Sequence, residues 1–409
     1  ILNSKKLERS FMPKKNLLIV LLLYVASAGI SFSLFSYFAK SSLATNLNNS
    51  NNPDQGETLL SSLLNIAPGE AKDQACPLNG AYYTLTEKTA WEKRRPLFVM
   101  IENTPDSRPQ AGLSRADVVF EAVAEGGVTR FGALFYCAAQ YQELTLAPIR
   151  SARTYFIDWA SGFNLPMYVH VGGANVAGPT DALGQIESYG WEGQNDINQF
   201  SVGYPTFVRN YNRIPGKEIA TEHTMETTTE ALWAVASKRN WTNLTPERVV
   251  ARRTVPAANW NSAYKGWVYE NEAAAPGANT KIAYDFWSGY NQYSVEWNYD
   301  ASLDAYKRNN AGEAFMDINN NEQIASKNVI ILFATEKGPI NEKKHMLYGT
   351  VGRGKALIFK HGQAPIEANW VKANREAELQ FVDVRGKDVE LARGQVWISV
   401  LATGSTVNY

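Results

Sequence analysis

The chain has 409 residues, of which 45% are hydrophobic and 12% aromatic, enough to bury a large core and to build two folded units. Forty basic and forty acidic side chains cancel, which argues against nucleic acid as a partner, since phosphate binding leaves an excess of Lys and Arg. No Gly-x-Ser-x-Gly elbow and no His-Glu-x-x-His occur.

Residues 17–39, "LLIVLLLYVASAGISFSLFSYFA", carry no charge and are long enough to cross a bilayer as one transmembrane helix. Lys5, Lys6, Arg9, Lys14 and Lys15 precede the run, and after Lys40 the next cation is Lys72, so the N-terminus (1–16) is expected in the cytoplasm and the bulk outside. Met12, followed by "PKKN", looks like a natural start. "ASA" at residues 26–28 would suit signal peptidase, but eleven apolar or small residues follow it, which favours an uncleaved signal anchor. No cysteine stands near the end of the run to carry a lipid. Residues 40–76, rich in Asn, Ser and Pro, read as a flexible tether.

From 77 to 240 strands and helices interleave, which predicts an α/β or α+β layered domain. "RPLFVMIEN" reads as a buried strand delivering Glu102 and Asn103 to its carboxyl end, and "TRFGALFYCA" as a central strand. "DALGQIESYG" reads as a helix capped by Asp181 or Thr180 and closed by Gly190; Thr227 and Glu230 give a capping-box pattern before "EALWAVASKR". Cys76 and Cys137, the only cysteines, read as a disulfide tacking the N-terminal arm onto the "FGALFYC" segment, with two separate thiols as the alternative. Residues 241–279 are turn-rich and read as a connection, and 280–409 as a smaller, mostly β domain.

Several chemical patterns are weak. "VGRGKA" (351–356) lacks phosphate-loop spacing and reads as a hairpin turn; "DINNNE" from Asp317 lacks the Gly and Glu of an EF-hand and reads as a turn. Residues 284–306 hold eight aromatics, a core pattern first and a sugar-stacking platform second. His170 and His223 could serve as ligands or an acid–base pair, or be structural; no third ligand of metal-site spacing accompanies them, so neither a metal nor a cofactor is expected.

The strongest candidate is "APIRSARTYFIDWA" (147–160). Arg150 and Arg153, entering a helix, would stand one turn apart on one face, with Ser151 and the helix N-terminus between them, forming a fork for phosphate or carboxylate. Arg130, Glu125, Asn103 and Asp158 join the candidate set. An internal ion-pair network with Glu121 and Glu125 explains the same residues equally well.

"RPLFVMIEN", "RPQAGLSRADVVFEAVAEGGVTRF", "APIRSARTYFIDWA" and "HVGG" resemble the N-terminal domain of the YerB-like family of bacterial envelope proteins; "GTVGRGKALIFKHGQ", "NWVKA" and "GQVWISVL" resemble its C-terminal domain. The resemblance runs from about residue 77 to the end. It implies an exported, two-domain envelope protein of unknown function and supplies no catalytic residues. The family's members are typically lipoproteins or single-pass exported proteins, and this chain departs in having no lipid-anchor cysteine. The element order around the arginines is also similar, as fold-level analogy only, to LytR-CpsA-Psr phosphotransferases. The expectation is therefore a membrane-tethered extracytoplasmic binding protein for an anionic ligand such as a wall glycan or lipid-linked phosphate. The alternatives are an envelope phosphotransferase and a scaffold with no small ligand. Its protein partner is unknown.

Overall fold

The computed structural model describes residues 64–409 apart from 251 and 263. In chain order they form α1 (Leu85–Trp91), β1 (Leu97–Glu102), β2 (Val118–Glu125), β3 (Val128–Phe135), α2 (Thr154–Ser161), β4 (Met167–His170), α3 (Ala182–Ser188), β5 (Asp196–Asn198), α4 (Gln199–Val202), α5 (Thr229–Lys238), β6 (Lys281–Tyr284), β7 (Val295–Asp300), β8 (Ala305–Asn310), β9 (Asn328–Ala334), β10 (Gly352–Phe359), β11 (Ile366–Lys372), β12 (Gln380–Val382), β13 (Val396–Ala402) and β14 (Val407–Asn408), with shorter strands and 3-10 turns between them.

The apolar runs make one ten-stranded sheet in the order β12-β11-β10-β9-β13-β2-β3-β1-β4-β5. Continuous burial of β1, β2 and β3 fits strands covered on both faces. The N- and C-terminal segments meet where β13 pairs in parallel with β2, Ile398 opposite Phe120. β9, β13, β2, β1, β4 and β5 all run the same way, so their carboxyl ends line one edge; β3 and β10 run against them and begin at that edge.

Helix α2 covers one face. Trp159 stacks on Phe120 at 5.4 Å, and Gly132 is required beneath it, because a Cβ there would stand 2.5 Å from the Phe98 ring and 2.7 Å from Phe156. The small sheet of β6, β7, β8 and β14 covers the other face, where Trp297 packs on Trp397 at 5.3 Å and Trp397 on Phe131 at 5.5 Å. The layering matches the α/β expectation, but among the described residues the helices are short, ten residues at most in α5, and strands predominate.

Local signals hold in part. Asp181 accepts from Gly184 N at the start of α3, and Gly190 follows its end with φ +67°. Thr228, not Thr227, caps α5 by accepting from Ala231 N, which leaves Glu230 one position short of a capping box; it pairs instead with Arg94 at 2.6 Å. "VGRGKA" is no turn: it opens β10, and Gly354 is needed because Trp370 crosses there, its Nε1 lying 2.3 Å from where a Cβ would be. Within the segment read as tether, Lys72–Ala75 pairs with Tyr82–Thr84. In the connection, Trp260 is buried and donates to the Tyr136 hydroxyl. Asp317 ends the short strand Met316–Asp317, just ahead of the turn at 318–321, and accepts from Gly112 N and Ser114 N. Most of the aromatics of 284–306 are core: Tyr284, Phe286, Tyr293, Trp297 and Tyr306 are buried, which removes them from a sugar-stacking surface.

Cys76 and Cys137 form a disulfide that ties the N-terminal arm to the end of β3. Beside it the buried Asp117 accepts from Tyr136 N, Cys137 N, Ala138 N and Asn79 Nδ2, while burial pushes its carboxyl up to about 7. With both sulfurs bonded and the carboxylate held by these donors, the Cys76–Asp117–Cys137 group is no metal site. Among the described residues no helix is long and apolar enough to cross a membrane; the run 17–39 expected to do so lies outside them.

Candidate functional site

The carboxyl edge of β1 and β2 carries a cluster of guanidiniums and carboxylates, and it separates the two arginines of "APIRSAR". Residues 150–153 are extended, not helical: Arg150 N donates to Met100 O, Val171 N to Arg150 O and Ala152 N to Gly172 O, and α2 starts only at Thr154, with Arg153 as its N-cap. Side chains alternate along an extended chain, so positions three apart point to opposite sides. The expected fork on one helix face is therefore absent.

Arg153 turns to Glu125, donating through Nε (3.2 Å) and Nη2 (2.8 Å), while Nη1 donates to Ala152 O. Arg130 takes the other oxygen of Glu125 at 2.7 Å and donates to Ser151 O at 3.0 Å. Burial would raise the Glu125 carboxyl, but Arg130 and Arg153 outweigh it and hold it at about 2. Burial, then Arg130, lowers Arg153. His345, whose backbone bridges Glu125, is pushed down to about 4 by burial and by Arg153, and so is neutral at pH 7.

Arg150 turns to Glu102. Its Nε lies 3.2 Å from Oε1 but out of hydrogen-bond alignment, and the other Glu102 oxygen meets His223 Nδ1 at 2.8 Å. Glu102 is buried, whereas the Arg150 side chain is 29% exposed. Its two Nη groups have no hydrogen-bond partner among the described residues. The hydroxyl of Ser151 beside it is likewise uncommitted.

The neighbouring arginines are fully used. Arg108 donates to Asn103 Oδ1, Asn103 O and Gln292 O; Arg213 donates to the carbonyls of His223, Pro109 and Ser107. Asn103 Nδ2 donates to Thr129 Oγ1 and Glu121 Oε1. Glu121 is gripped by Arg308 of β8 at 2.7 and 3.0 Å, and that guanidinium stands among the rings of Trp397, Phe315, Trp297 and Phe131.

Asn103, Glu125, Arg130, Arg150, Ser151, Arg153 and His223 thus come to this edge, but in separate groups: Glu125, Arg130 and Arg153 with the Ser151 carbonyl, Arg150 with His223 through Glu102, and Asn103 on Glu121 and Thr129. Asp158 does not: it lies farther along α2 and accepts from Gln185 Nε2 and Thr350 Oγ1. Nor does His170, which is fully buried between Gly172 O and Asp196 Oδ1. Sequence reasoning missed Arg308 and His345 as members, and neither stands in a local pattern that points to this edge.

Comparison with known proteins agrees with the motifs. A family model described as the N-terminal domain of a protein of unknown function, DUF3048, matches residues 84–242, and its C-terminal counterpart matches 282–398. The Bacillus subtilis (strain 168) protein named "Putative lipoprotein YerB" is 29% identical over 345 residues, spanning 82% of this chain and 88% of that one. A crystal structure of the YerB protein from Bacillus subtilis superposes with a TM-score of 0.62 at 24% identity, covering 82% of this chain and all of that one. The paired domains, in this order and on this shared sheet, place the chain in the YerB-like DUF3048 family.

Proposed function

We propose that the protein is a membrane-tethered, extracytoplasmic binding protein of the cell envelope that takes an anionic ligand at the carboxyl edge of β1. The observation that carries this is Arg150, whose two Nη groups stay open among the described residues although its Nε pairs with Glu102, beside Arg130 and Arg153, which are both engaged by Glu125. Crevices outside the carboxyl ends of parallel strands are where open sheets with helices bind ligands, and a guanidinium with two free amines suits a phosphate or carboxylate. The membrane anchor of this reading is the run 17–39, with 40–76 as the tether, and the lipoprotein name of the Bacillus relative agrees with an envelope location. Catalysis by phosphoryl transfer is the weaker reading, because Glu102, Glu121 and Glu125 each carry cationic or imidazole partners and none is left as a base.

Calorimetric titration of the unit spanning residues 62–409 with pyrophosphate and with soluble peptidoglycan fragments tests it. Binding that Arg150→Ala abolishes and Ser151→Ala weakens is expected. Binding that survives Arg150→Ala would move the site elsewhere.

A further inference from the structure

The same sheet edge has a second half. Where β9 and β13 end and β10 begins lies an open groove of about 620 Å³, within the roughly 300–1,000 Å³ usual for a small-molecule site. Its apolar floor is Phe333 and Val351. On the other face of the sheet Gly354 lets Trp370 lie across it and donate its indole N–H to Phe333 O at 2.8 Å, leaving no room for a Cβ. Val351 is 48% exposed within the groove, an apolar side chain with no cover.

The polar groups of the groove are uncommitted. Arg353 and Lys355 are alternate residues of β10, so they project from the same side of the strand; both are exposed, and neither has an ion pair or hydrogen bond among the described residues. The side-chain hydroxyls of Thr335, Thr403 and Ser405, which also line it, are free in the same sense. The carboxylate nearest in the chain, Glu336, is engaged by the Trp287 indole and the Tyr348 hydroxyl. The groove therefore offers two cations and three hydroxyls around an apolar floor.

We propose that this groove binds an amphipathic organic anion, its apolar body on Phe333 and Val351 and its phosphate or carboxylate on Arg353 and Lys355. An inorganic anion would leave the floor uncovered, and a neutral amphiphile would leave both cations without a counter-charge. The site is separate from Arg150 and stands whether or not Arg150 binds a ligand.

Titration of the 62–409 unit with decyl phosphate and with decanoate, both below their micelle concentrations, tests the proposal, with decanol and inorganic phosphate as controls. One-to-one binding of at least one of the two anions, and no more than about a tenth of that affinity for either control, is expected. Whichever anion binds more tightly tells a phosphate headgroup from a carboxylate. Arg353→Gln/Lys355→Gln should weaken it about tenfold or more, and Val351→Asp should do likewise. Unfolding midpoints equal to that of the wild type will show that the variants are folded, as exposed side chains without partners lead one to expect. Failure of both anions to bind, equal binding of decanol, or wild-type binding by the double variant would overturn it.

Discussion

The two halves of the sheet's carboxyl edge use cationic side chains in opposite ways. At the ends of β1 and β2, guanidiniums and carboxylates interlock, and even the surplus arginines are absorbed by backbone carbonyls. At the ends of β9 and β13 two exposed cations stand beside Phe333 and Val351 with no ion-pair partner among the described residues. A buried charge costs several kcal/mol unless it is paired, so the first half must be fully paired in the folded protein. An exposed cation carries no such cost and remains available to a ligand. Arg150, between the two conditions, is tied at Nε and open at both Nη groups.

Breaking the closed half should give the largest effects. Arg308→Ala leaves Glu121 fully buried without its guanidinium and should lower unfolding free energy by about 3–5 kcal/mol, read by urea denaturation. Arg153→Ala should cost about 2 kcal/mol, less because Glu125 keeps Arg130 and some solvent. Arg150→Ala should cost about 1 kcal/mol or less, because Glu102 keeps His223 and the arginine is partly in water.

The closed half also predicts an acid limb. Glu125 is held at about 2 when folded, below its ordinary 4.5, so its contribution is complete above pH 4.5 and is lost as pH falls through 2. Glu125→Gln should therefore show a smaller loss of stability between pH 7 and pH 3 than the wild type, and an equal loss would mean that the pair with Arg130 and Arg153 is not linked to folding. The smallest effect belongs to the open half: Arg353→Gln/Lys355→Gln should change stability by no more than about 0.5 kcal/mol. A larger loss would mean that these cations have structural partners after all.

How much of this could be read from the residues depends on how local each cause is. The strand carrying Glu102 and Asn103 was legible because a compact apolar run with a polar end needs only its own composition. So was α3, whose cap and closing glycine lie within ten residues. The join of β13 to β2 was not, since a parallel pairing of segments some 280 residues apart leaves no periodicity in either. For the same reason Arg308 could not be assigned to Glu121, nor Gly354 to the crossing of Trp370. The arginines at 150 and 153 were misplaced by the start of one helix. Begun at Thr154 rather than ahead of Arg150, α2 leaves them on an extended chain, where a spacing of three separates side chains instead of aligning them.

The most direct test is thermal unfolding of Arg150→Ala and Arg153→Ala side by side, each with and without pyrophosphate and peptidoglycan fragments. Arg153→Ala should unfold several degrees earlier yet keep a ligand-dependent rise in midpoint, while Arg150→Ala should unfold near the wild type and lose that rise. Equal destabilisation of both, with no ligand shifting the wild type, would contradict the division between a structural and a binding arginine.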